Sequence, residues 1–386
     1  MQYNKKGKTK SMLMLASVAS MIDQFNMNNI EILQKLGYKV DVACNFKLGS
    51  TCSKERIDDL KKRLEDKGVE YYQIDFSRNV LNLLEDIKAY KQVKQLTKQN
   101  RYEFIHCHSP IGGVVGRIVS HETNTKVMYT AHGFHFYEGA PLINWLIFYP
   151  IEKKLSRWTD ILITITEEDY NRARKKFYAR RIVYTPGVGI DISNLSKKMS
   201  KEQIEEKKRS LGIPREACVI LSVGELNKNK NHQSVIRAIA KAQEHTSIFY
   251  VIAGRGKLKG KLEKLAKKLN VNLLLLGYRQ DVPEIYQISD IYIHPSFREG
   301  MSVATMEAAA AGKIILASKI RGEVDLIEGQ CLFKPNDIKQ IAEKINGARE
   351  GKYSDSVIKN NIRLQKFSIE NISDKMYTYY GWMNDL

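Results

Sequence analysis

Short apolar runs recur along the whole chain, and most are followed by a polar or glycine-containing loop and then by a helix-like segment. The runs lie at residues 12–18, 40–44, 69–74, 104–107, 127–130, 161–164, 182–184, 218–223, 248–253, 273–276, 291–293 and 314–317. Buried strands that alternate with helices are typical of parallel sheets covered by helices on both faces. The pattern therefore predicts an α/β chain built from doubly wound parallel sheets.

Two such sheets, in two domains, are expected from the length and from one polar stretch. The chain has 386 residues, which is long enough for two domains. Residues 192–214 are polar and lysine-rich with few large apolar side chains, and they are the best candidate for a boundary. We therefore expect one Rossmann-like domain over residues 1–195, a second over 196–365 and a C-terminal helical segment over 366–386.

The chain is strongly basic, with 62 Lys and Arg residues against 43 Asp and Glu residues and a formal net charge of +19. Such a charge favours an anionic partner, which would be a nucleic acid, an acidic lipid or a phosphorylated substrate. The basic residues are spread over both halves, and no zinc-finger, RNP or basic-zipper pattern occurs, so we expect no nucleic-acid partner. The simpler alternative is a generally basic protein, which accounts for part of the excess.

Cysteine usage and the length of the apolar runs indicate the compartment. The five cysteines form no CxxC pair, and we interpret them as free thiols of a reducing compartment; they are residues 44, 52, 107, 218 and 331. No run reaches the roughly 18 apolar residues of a membrane span, and no secretory signal is recognisable. No cluster has metal-ligand spacing. The sequence therefore predicts a cytoplasmic protein that uses no metal and no cofactor.

The stretch PSFREGMSVATMEAAAAG, at residues 295–312, carries the clearest candidate site. It places Glu299 and Gly300 in a polar loop before a helix-forming segment. Gly300 lets the backbone approach a ligand closely, and amides at a helix start suit a phosphate. Those amides belong to Met301, Ser302 and Val303.

A second carboxylate, Glu307, lies more than a helical turn further on and would reach another part of the same ligand. A nucleotide sugar would suit this set of groups. On spacing alone, however, two solvated glutamates beside an alanine-rich helix are the better interpretation, because charged residues near helix starts are common.

The whole stretch, with its flanks SDIYIHPSFREG and MEAAAAGK, resembles the E-x7-E signature of glycosyltransferase family 4, the retaining GT-B enzymes. The resemblance covers nearly the whole chain and is clearest over residues 220–330. It implies a GT-B fold, with two Rossmann-like domains facing a central cleft and a last helix that returns to the first domain. It also implies that Glu299 faces the donor sugar as a catalytic residue and that Glu307 binds the nucleotide ribose.

The segment GELNKNKNH, at residues 224–232, is similar to the family's loop in which an arginine and a lysine hold the donor diphosphate. Lys230 matches the lysine, but Glu225 stands where the arginine is usual. We expect Arg321, in the loop SKIRGE, to supply the missing cation. The alternatives are an exposed lysine loop and a surface arginine.

Other loops match the family less specifically. The turn formed by Gly277, Tyr278 and Arg279 resembles the base-binding loop, with a generic turn as the alternative. His132, in YTAHGFHFYEGAP, resembles the histidine that faces the donor sugar. We interpret His106 and His108 as pointing to opposite faces of their strand, so that one of them lines the acceptor side. The family's glycines are missing from the first loop, SVASMIDQ.

The resemblance implies a retaining glycosyltransferase that moves a sugar from a UDP-linked donor to a lipid-diphosphate-linked saccharide, in capsule or extracellular polysaccharide synthesis. Two alternatives stay open. A GT-B nucleotide-sugar epimerase would act without an acceptor. A basic binding protein would use the same scaffold without catalysis.

Residues 141–158, PLINWLIFYPIEKKLSRW, join an apolar, aromatic run to three basic residues, Lys153, Lys154 and Arg157. Aromatic and basic side chains beside an apolar face favour the surface of an anionic membrane. We therefore expect a peripheral contact with the inner face of the membrane. The alternative is that residues 142–149 form a buried core helix.

Overall fold

The computed structural model of the chain describes residues 10–47, 53–77 and 83–386. The chain divides into two compact units, the first made of Met1–Val188 with Ile372–Leu386 and the second of Gly189–Asn371. The division falls after Val188, whereas the boundary expected from the sequence, after residue 195, lies at the end of a short helix in the second unit.

Within the described residues, the first unit contains a seven-stranded parallel sheet with the order β3-β2-β1-β4-β5-β6-β7. The strands are β1 (Ser11–Leu15), β2 (Lys39–Cys44), β3 (Glu70–Gln73), β4 (Phe104–His108), β5 (Lys126–Ala131), β6 (Ile161–Thr164) and β7 (Arg181–Tyr184). The helices are α1 (Ala19–Phe25), α2 (Met27–Lys35), α3 (Lys54–Asp66), α4 (Leu83–Asn100), α5 (Pro110–Thr123), α6 (Leu142–Leu155) and α7 (Glu167–Lys176).

The second unit, described throughout, contains a six-stranded parallel sheet with the order β10-β9-β8-β11-β12-β13. The strands are β8 (Cys218–Val223), β9 (Ile248–Ala253), β10 (Asn272–Gly277), β11 (Ile291–His294), β12 (Ile314–Ser318) and β13 (Leu332–Phe333). The helices are α8 (Ile192–Leu195), α9 (Lys201–Ser210), α10 (His232–Ile239), α11 (Lys259–Lys268), α12 (Val282–Ile288), α13 (Val303–Ala310), α14 (Glu323–Leu326), α15 (Ile338–Arg349) and α16 (Ser354–Leu364). The predicted doubly wound α/β class is confirmed in both units.

In the first sheet, the central strand β1 is apolar from Met12 to Leu15 because both faces of the sheet are covered. In β1, Met12 and Met14 enter one buried cluster, whereas Leu13 and Leu15 enter another. Successive side chains of a strand point to opposite faces, so the two clusters lie on the two sides of the sheet. This arrangement explains why continuous apolar runs, rather than alternating ones, marked the strands in the sequence.

The last helix, α17 (Ile369–Asp385), begins in the second unit and belongs to the first unit from Ile372 onward. There Ile372, Met376 and Tyr380 enter the buried cluster of the first sheet. Lys126 Nζ donates to the carbonyl oxygen of Met383 at 2.8 Å, which fixes the end of the helix. None of the helices in the described ranges combines the length and the apolar character needed to cross a bilayer.

The described cysteines are free thiols. Cys44, Cys107 and Cys331 are buried, and Cys218 is partly buried. Cys52 lies outside the described residues.

Candidate active site

The strand order of the second sheet reverses between β8 and β11, which pair directly through Ile220 and Ile291. In open α/β sheets, ligands bind beyond the carboxyl ends of the strands at such a reversal. Lys230 follows β8 and Glu299 follows β11, so the topology places these two predicted site residues at the same edge.

Hydrogen bonds join the loops that follow β8 and β11. The backbone N–H of Phe297 donates to the carbonyl oxygen of Asn229 at 2.9 Å, and Asn231 Nδ2 donates to the carbonyl oxygen of Pro295 at 3.1 Å. Asn231 has a φ of 51°, a left-handed conformation that asparagine adopts more readily than most residues. The two loops therefore form one connected structure around the site.

Lys230 and Glu299 form an ion pair inside this structure. Lys230 Nζ donates to Glu299 Oε1 at 2.8 Å, and both side chains are largely buried. The stem of Lys230 runs past Gly224, where an added Cβ would lie 3.1 Å from Lys230 Cε. Glycine at this position leaves room for the lysine, which explains the first residue of the GELNKNKNH loop.

A histidine and a second carboxyl group, which sequence reasoning missed, lie beside Glu299. His294 Nε2 lies 3.5 Å from Glu299 Oε1 and 3.7 Å from Glu323 Oε1. The other ring nitrogen of His294 faces the hydroxyl of Tyr292 at 3.1 Å, and Thr305 Oγ1 donates to Glu323 at 3.1 Å. The signal in the sequence was the histidine directly before PSFREG, whereas Glu323 carried none.

The two carboxyl groups differ in their ionisation. Burial alone would raise the pKa of Glu299, but His294 and Lys230 outweigh it and lower that pKa to about 2. Burial raises the pKa of Glu323 to about 7. Glu299 is therefore a carboxylate at neutral pH, whereas Glu323 holds a proton over part of the neutral range.

The signature helix begins as predicted, immediately after Ser302. Ser302 Oγ accepts a hydrogen bond from the backbone N–H of Thr305 at 3.2 Å and caps α13. Just before it, Gly300 and Met301 lie against the next loop, because a Cβ added to Gly322 would be 1.7 Å from the carbonyl oxygen of Gly300. Only glycine at position 322 allows the two loops to come this close.

Arg321 is part of the same contact. Its side chain is buried, and its Nε donates to the backbone carbonyl oxygen of Glu299 at 3.3 Å. It is therefore not the surface arginine of the alternative interpretation. Arg321 and Lys230 both contact Glu299, one through the backbone and one through the carboxylate.

Glu307 lies on α13 with its side chain half-buried. Tyr286 donates its hydroxyl hydrogen bond to Glu307 Oε2 at 3.0 Å and also lies 2.9 Å from the carbonyl oxygen of Ala304. Burial raises the pKa of Glu307. The tyrosine therefore fixes one carboxyl oxygen of Glu307.

The turn after β10 presents Tyr278 and holds Arg279. Gly277 has a φ of +70°, and the Tyr278 side chain is exposed. Arg279 is paired with Asp281, with Nε at 2.7 Å from Oδ1. Arg279 is therefore engaged with its neighbour, which the sequence did not indicate.

The loop after β9 is a further candidate that the sequence analysis passed over. The guanidinium of Arg255 lies over the Tyr278 ring, 5.7 Å from the ring centroid. The backbone carbonyl oxygen of Arg255 accepts a hydrogen bond from the N–H of Leu226 at 2.9 Å. A Cβ on Gly254 would come within 1.8 Å of the carbonyl oxygen of Gly224. The segment Gly-Arg-Gly after a buried strand was the signal that would have found it.

In the first unit, His132 follows β5 and contacts a second histidine. His108 Nδ1 lies 3.1 Å from His132 Nε2. Both rings line a small pocket, with Asn26, Thr130 and Gly187 among its other lining residues. Burial lowers the pKa of His132 to about 4, so its imidazole is neutral at neutral pH.

The expectation that His106 and His108 point to opposite faces is wrong. Residues two apart on a strand point to the same face, and the two ring centroids are 4.1 Å apart. His106 is enclosed between the hydroxyls of Tyr380 and Thr130, each at 2.8 Å, and has a packing role. His108 is the one that lines the pocket.

No group of three or more His, Cys, Asp or Glu side chains arranged to hold a metal ion occurs within residues 10–47, 53–77 and 83–386.

Family models match both units. Residues 23–187 match the glycosyl transferase 4-like domain, and residues 203–365 match glycosyl transferases group 1. The chain is 32% identical to the putative glycosyltransferase EpsD of Bacillus subtilis over 347 residues, which cover 87% of each chain.

Two further comparisons extend over almost the whole length. The chain is 27% identical, over 95% of each protein, to the Escherichia coli enzyme named UDP-Gal:alpha-D-GlcNAc-diphosphoundecaprenol alpha-1,3-galactosyltransferase. The fold of the chain matches the crystal structure of Anabaena Alr3699/HepE in complex with UDP and glucose, with a TM-score of 0.75 and 19% identity. The match covers 96% of this chain and 99% of the Anabaena chain. The chain therefore belongs to the family-4 GT-B glycosyltransferases of the exopolysaccharide and capsule type.

Proposed function

We propose that this glycosyltransferase transfers a sugar, with retention of its anomeric configuration, from a UDP-sugar to a lipid-diphosphate-linked saccharide in surface polysaccharide synthesis. The observation that carries the proposal is the Lys230–Glu299 ion pair at the reversal point of the second sheet. The choice of donor and acceptor rests on the activity for which the Escherichia coli relative is named and on the UDP bound in the Anabaena structure.

In the proposed reaction, Lys230 and Arg321 neutralise the donor diphosphate. The bond between the anomeric carbon and the diphosphate oxygen breaks, and its electron pair leaves with UDP. The acceptor hydroxyl oxygen bonds to the anomeric carbon from the same face, and its proton passes to the leaving diphosphate. Cations fixed before the reaction stabilise the charge that develops, which is the electrostatic contribution on which such transfers depend.

The remaining candidates take positions around the donor. Glu299 stays ionised next to the reacting sugar, and Glu307 accepts from the ribose hydroxyls. The turn with Gly277, Tyr278 and Arg279 meets the base, and the amides that follow Gly300 face the phosphates. We assign acceptor binding to the first unit and nucleotide-sugar binding to the second unit. His132 is the catalytic candidate of the first unit.

A lipid-linked acceptor requires the enzyme to work at a membrane. We therefore propose that the protein is cytoplasmic and peripheral, at the inner face of the membrane. This proposal agrees with the basic net charge of +19, because the inner leaflet carries anionic lipids.

The test uses purified protein, a panel of UDP-sugars and N-acetylglucosamine linked through a diphosphate to a short polyprenyl chain. The expected result is a disaccharide on the lipid, formed from one donor and with the donor's anomeric configuration by NMR. Conversion of the UDP-sugar to its epimer without acceptor would favour the epimerase instead. UDP binding without turnover of any donor would favour the non-catalytic alternative.

A further inference from the structure

Helix α6 of the first unit presents a row of large apolar side chains to solvent. Leu142 is 80% exposed and Leu146 is 73% exposed. Ile143, Ile147 and Ile151 are exposed as well. Positions i, i+1, i+4, i+5 and i+9 span half of the circumference of a helix. The five side chains therefore form one continuous exposed band, which we call the α6 apolar face.

The opposite side of α6 is firmly packed. Trp145 and Tyr149 contact Phe136, with ring centroids 5.6 and 5.3 Å apart. One turn later, Glu152 Oε2 pairs with the buried Arg117 at 2.8 Å. The helix is thus neither a buried core helix nor a loose segment. One side belongs to the core, and the packing holds the α6 apolar face outward.

Basic and aromatic residues gather at the C-terminal end of the helix. Lys154 is exposed and lies on the same side as Ile147 and Ile151, seven and three residues before it. The exposed ring of Tyr178 lies under Lys153 and Arg157, whose charged groups are 5.5 and 4.9 Å from its centroid. An apolar face that ends in basic and aromatic groups is the pattern of helices that lie in a membrane interface.

We propose that the α6 apolar face inserts, parallel to the membrane plane, into the interface of an anionic lipid bilayer, with Lys154 and Arg157 at the headgroups. The inference rests on the proposed function, which supplies the reason for membrane contact. It adds the surface that makes the contact.

Two features favour this shallow position. The helix has 14 residues, about 21 Å at 1.5 Å per residue, which is shorter than the bilayer core. Pro150 has no N–H to donate to the carbonyl oxygen of Leu146. Because that carbonyl oxygen lacks its helical hydrogen bond, it must stay within reach of water or lipid headgroups.

The charge favours lipid over a second copy of the chain. A second copy would bring an identical set of basic residues to the contact, in a protein that already carries a net charge of +19. An anionic lipid surface instead offers negative charge to all of these basic residues. Hydrophobic insertion and electrostatic attraction then act together.

The test is sedimentation of the full chain with vesicles of phosphatidylcholine containing increasing amounts of phosphatidylglycerol, at low and at high salt. Binding should rise with the anionic lipid and fall with salt. Leu142→Ser with Leu146→Ser should weaken binding roughly tenfold for each leucine. Lys154→Ala with Arg157→Ala should weaken it about fivefold for each charge.

Matched controls come from the second unit. Ile358→Ser with Ile362→Ser removes two apolar side chains that are 66% and 67% exposed on α16. Lys264→Ala with Lys268→Ala removes two exposed charges from α11. Both control variants should bind vesicles like the unchanged protein. Equal losses in the control and α6 variants would overturn the assignment to α6.

The binding assay needs neither donor nor acceptor, so it fails independently of the proposed reaction. If the unchanged protein stays in the supernatant but glycosylates the acceptor, the α6 inference is wrong and the function stands. Sedimentation velocity without lipid tests whether a second copy of the chain covers the α6 apolar face instead. If the unchanged protein is a dimer and the Leu142→Ser, Leu146→Ser variant is a monomer, the proposal is also overturned.

Discussion

The carboxyl group of Glu323 lies 3.7 Å from Nε2 of His294, at a place where both side chains are almost completely buried. His294 in turn lies 3.5 Å from Glu299. A proton on Glu323 therefore changes the electrostatic surroundings of the proposed catalytic carboxylate without any contact between Glu323 and substrate.

The first prediction concerns stability and pH. The pKa of Glu323 is raised to about 7 in the folded chain, against about 4.3 for an unperturbed glutamate. The folded state thus binds the proton more tightly, so its contribution to stability is complete below about pH 4 and is lost as the pH rises to about 7. The loss is on the order of 4 kcal/mol. The charge of the neighbouring Glu299 does not change in this window, because its pKa is about 2.

Urea unfolding at pH 5.5 and pH 8 measures this effect. Glu323→Gln should flatten the difference between the two conditions, because glutamine does not titrate and keeps an acceptor for Thr305. Glu343→Gln, an exposed carboxylate on α15, is the control and should behave like the unchanged protein. A Glu323→Gln variant with an unaltered pH dependence would refute the assignment.

The second prediction separates the two signature glutamates. Glu299→Gln should lower kcat far more than donor affinity, because it removes a charge next to the reacting sugar. Glu307→Ala should mainly raise the donor KM, because it removes an acceptor for ribose hydroxyls. Steady-state kinetics with the identified UDP-sugar distinguish the two effects. Near-normal kinetics in both variants would remove these residues from the site.

The third prediction concerns the cations that hold the diphosphate. A charge-assisted hydrogen bond to phosphate contributes on the order of 1.5–3 kcal/mol, so Lys230→Ala should weaken UDP binding by one to two powers of ten. Arg321→Ala should cost a similar amount. Lys228→Ala, an exposed lysine in the same loop, is the matched control and should change little. Unchanged UDP affinity of Arg321→Ala in calorimetry would disprove its role as the substitute for the arginine that Glu225 replaces.

The fourth prediction concerns His132. Because burial lowers its pKa to about 4, the ring should remain neutral throughout the range from pH 6 to 8. The Cε1–H resonance of His132, assigned by its loss in His132→Gln, should therefore not move between these pH values. A titration midpoint near 6.5 would show that the ring is solvated and not enclosed with His108.

The sequence predicted those parts of the molecule that depend on local pattern. Strand positions followed from apolar runs, and the loops that carry Lys230 and Glu299 followed from glycine and polar residues at strand ends. The contact of His294 with Glu323 joins residues that are 29 positions apart, one before and one after β12 in the sequence. Nothing in either segment specifies this contact. The sequence could not decide which side of α6 faces solvent, because almost all of residues 142–149 are apolar. That choice depends on Phe136 and Arg117, which lie elsewhere in the first unit.

The close contact between Gly322 and Gly300 has a consequence for inherited variation. Every single-base change that replaces Gly322 adds at least a Cβ, which would displace the carbonyl of Gly300 and, with it, the adjoining Glu299. A change at Gly322, which is not among the residues proposed to contact substrate, would therefore reach the proposed catalytic carboxylate through the backbone. Gly322 is therefore a position at which inherited substitutions are expected to reduce the activity of the enzyme.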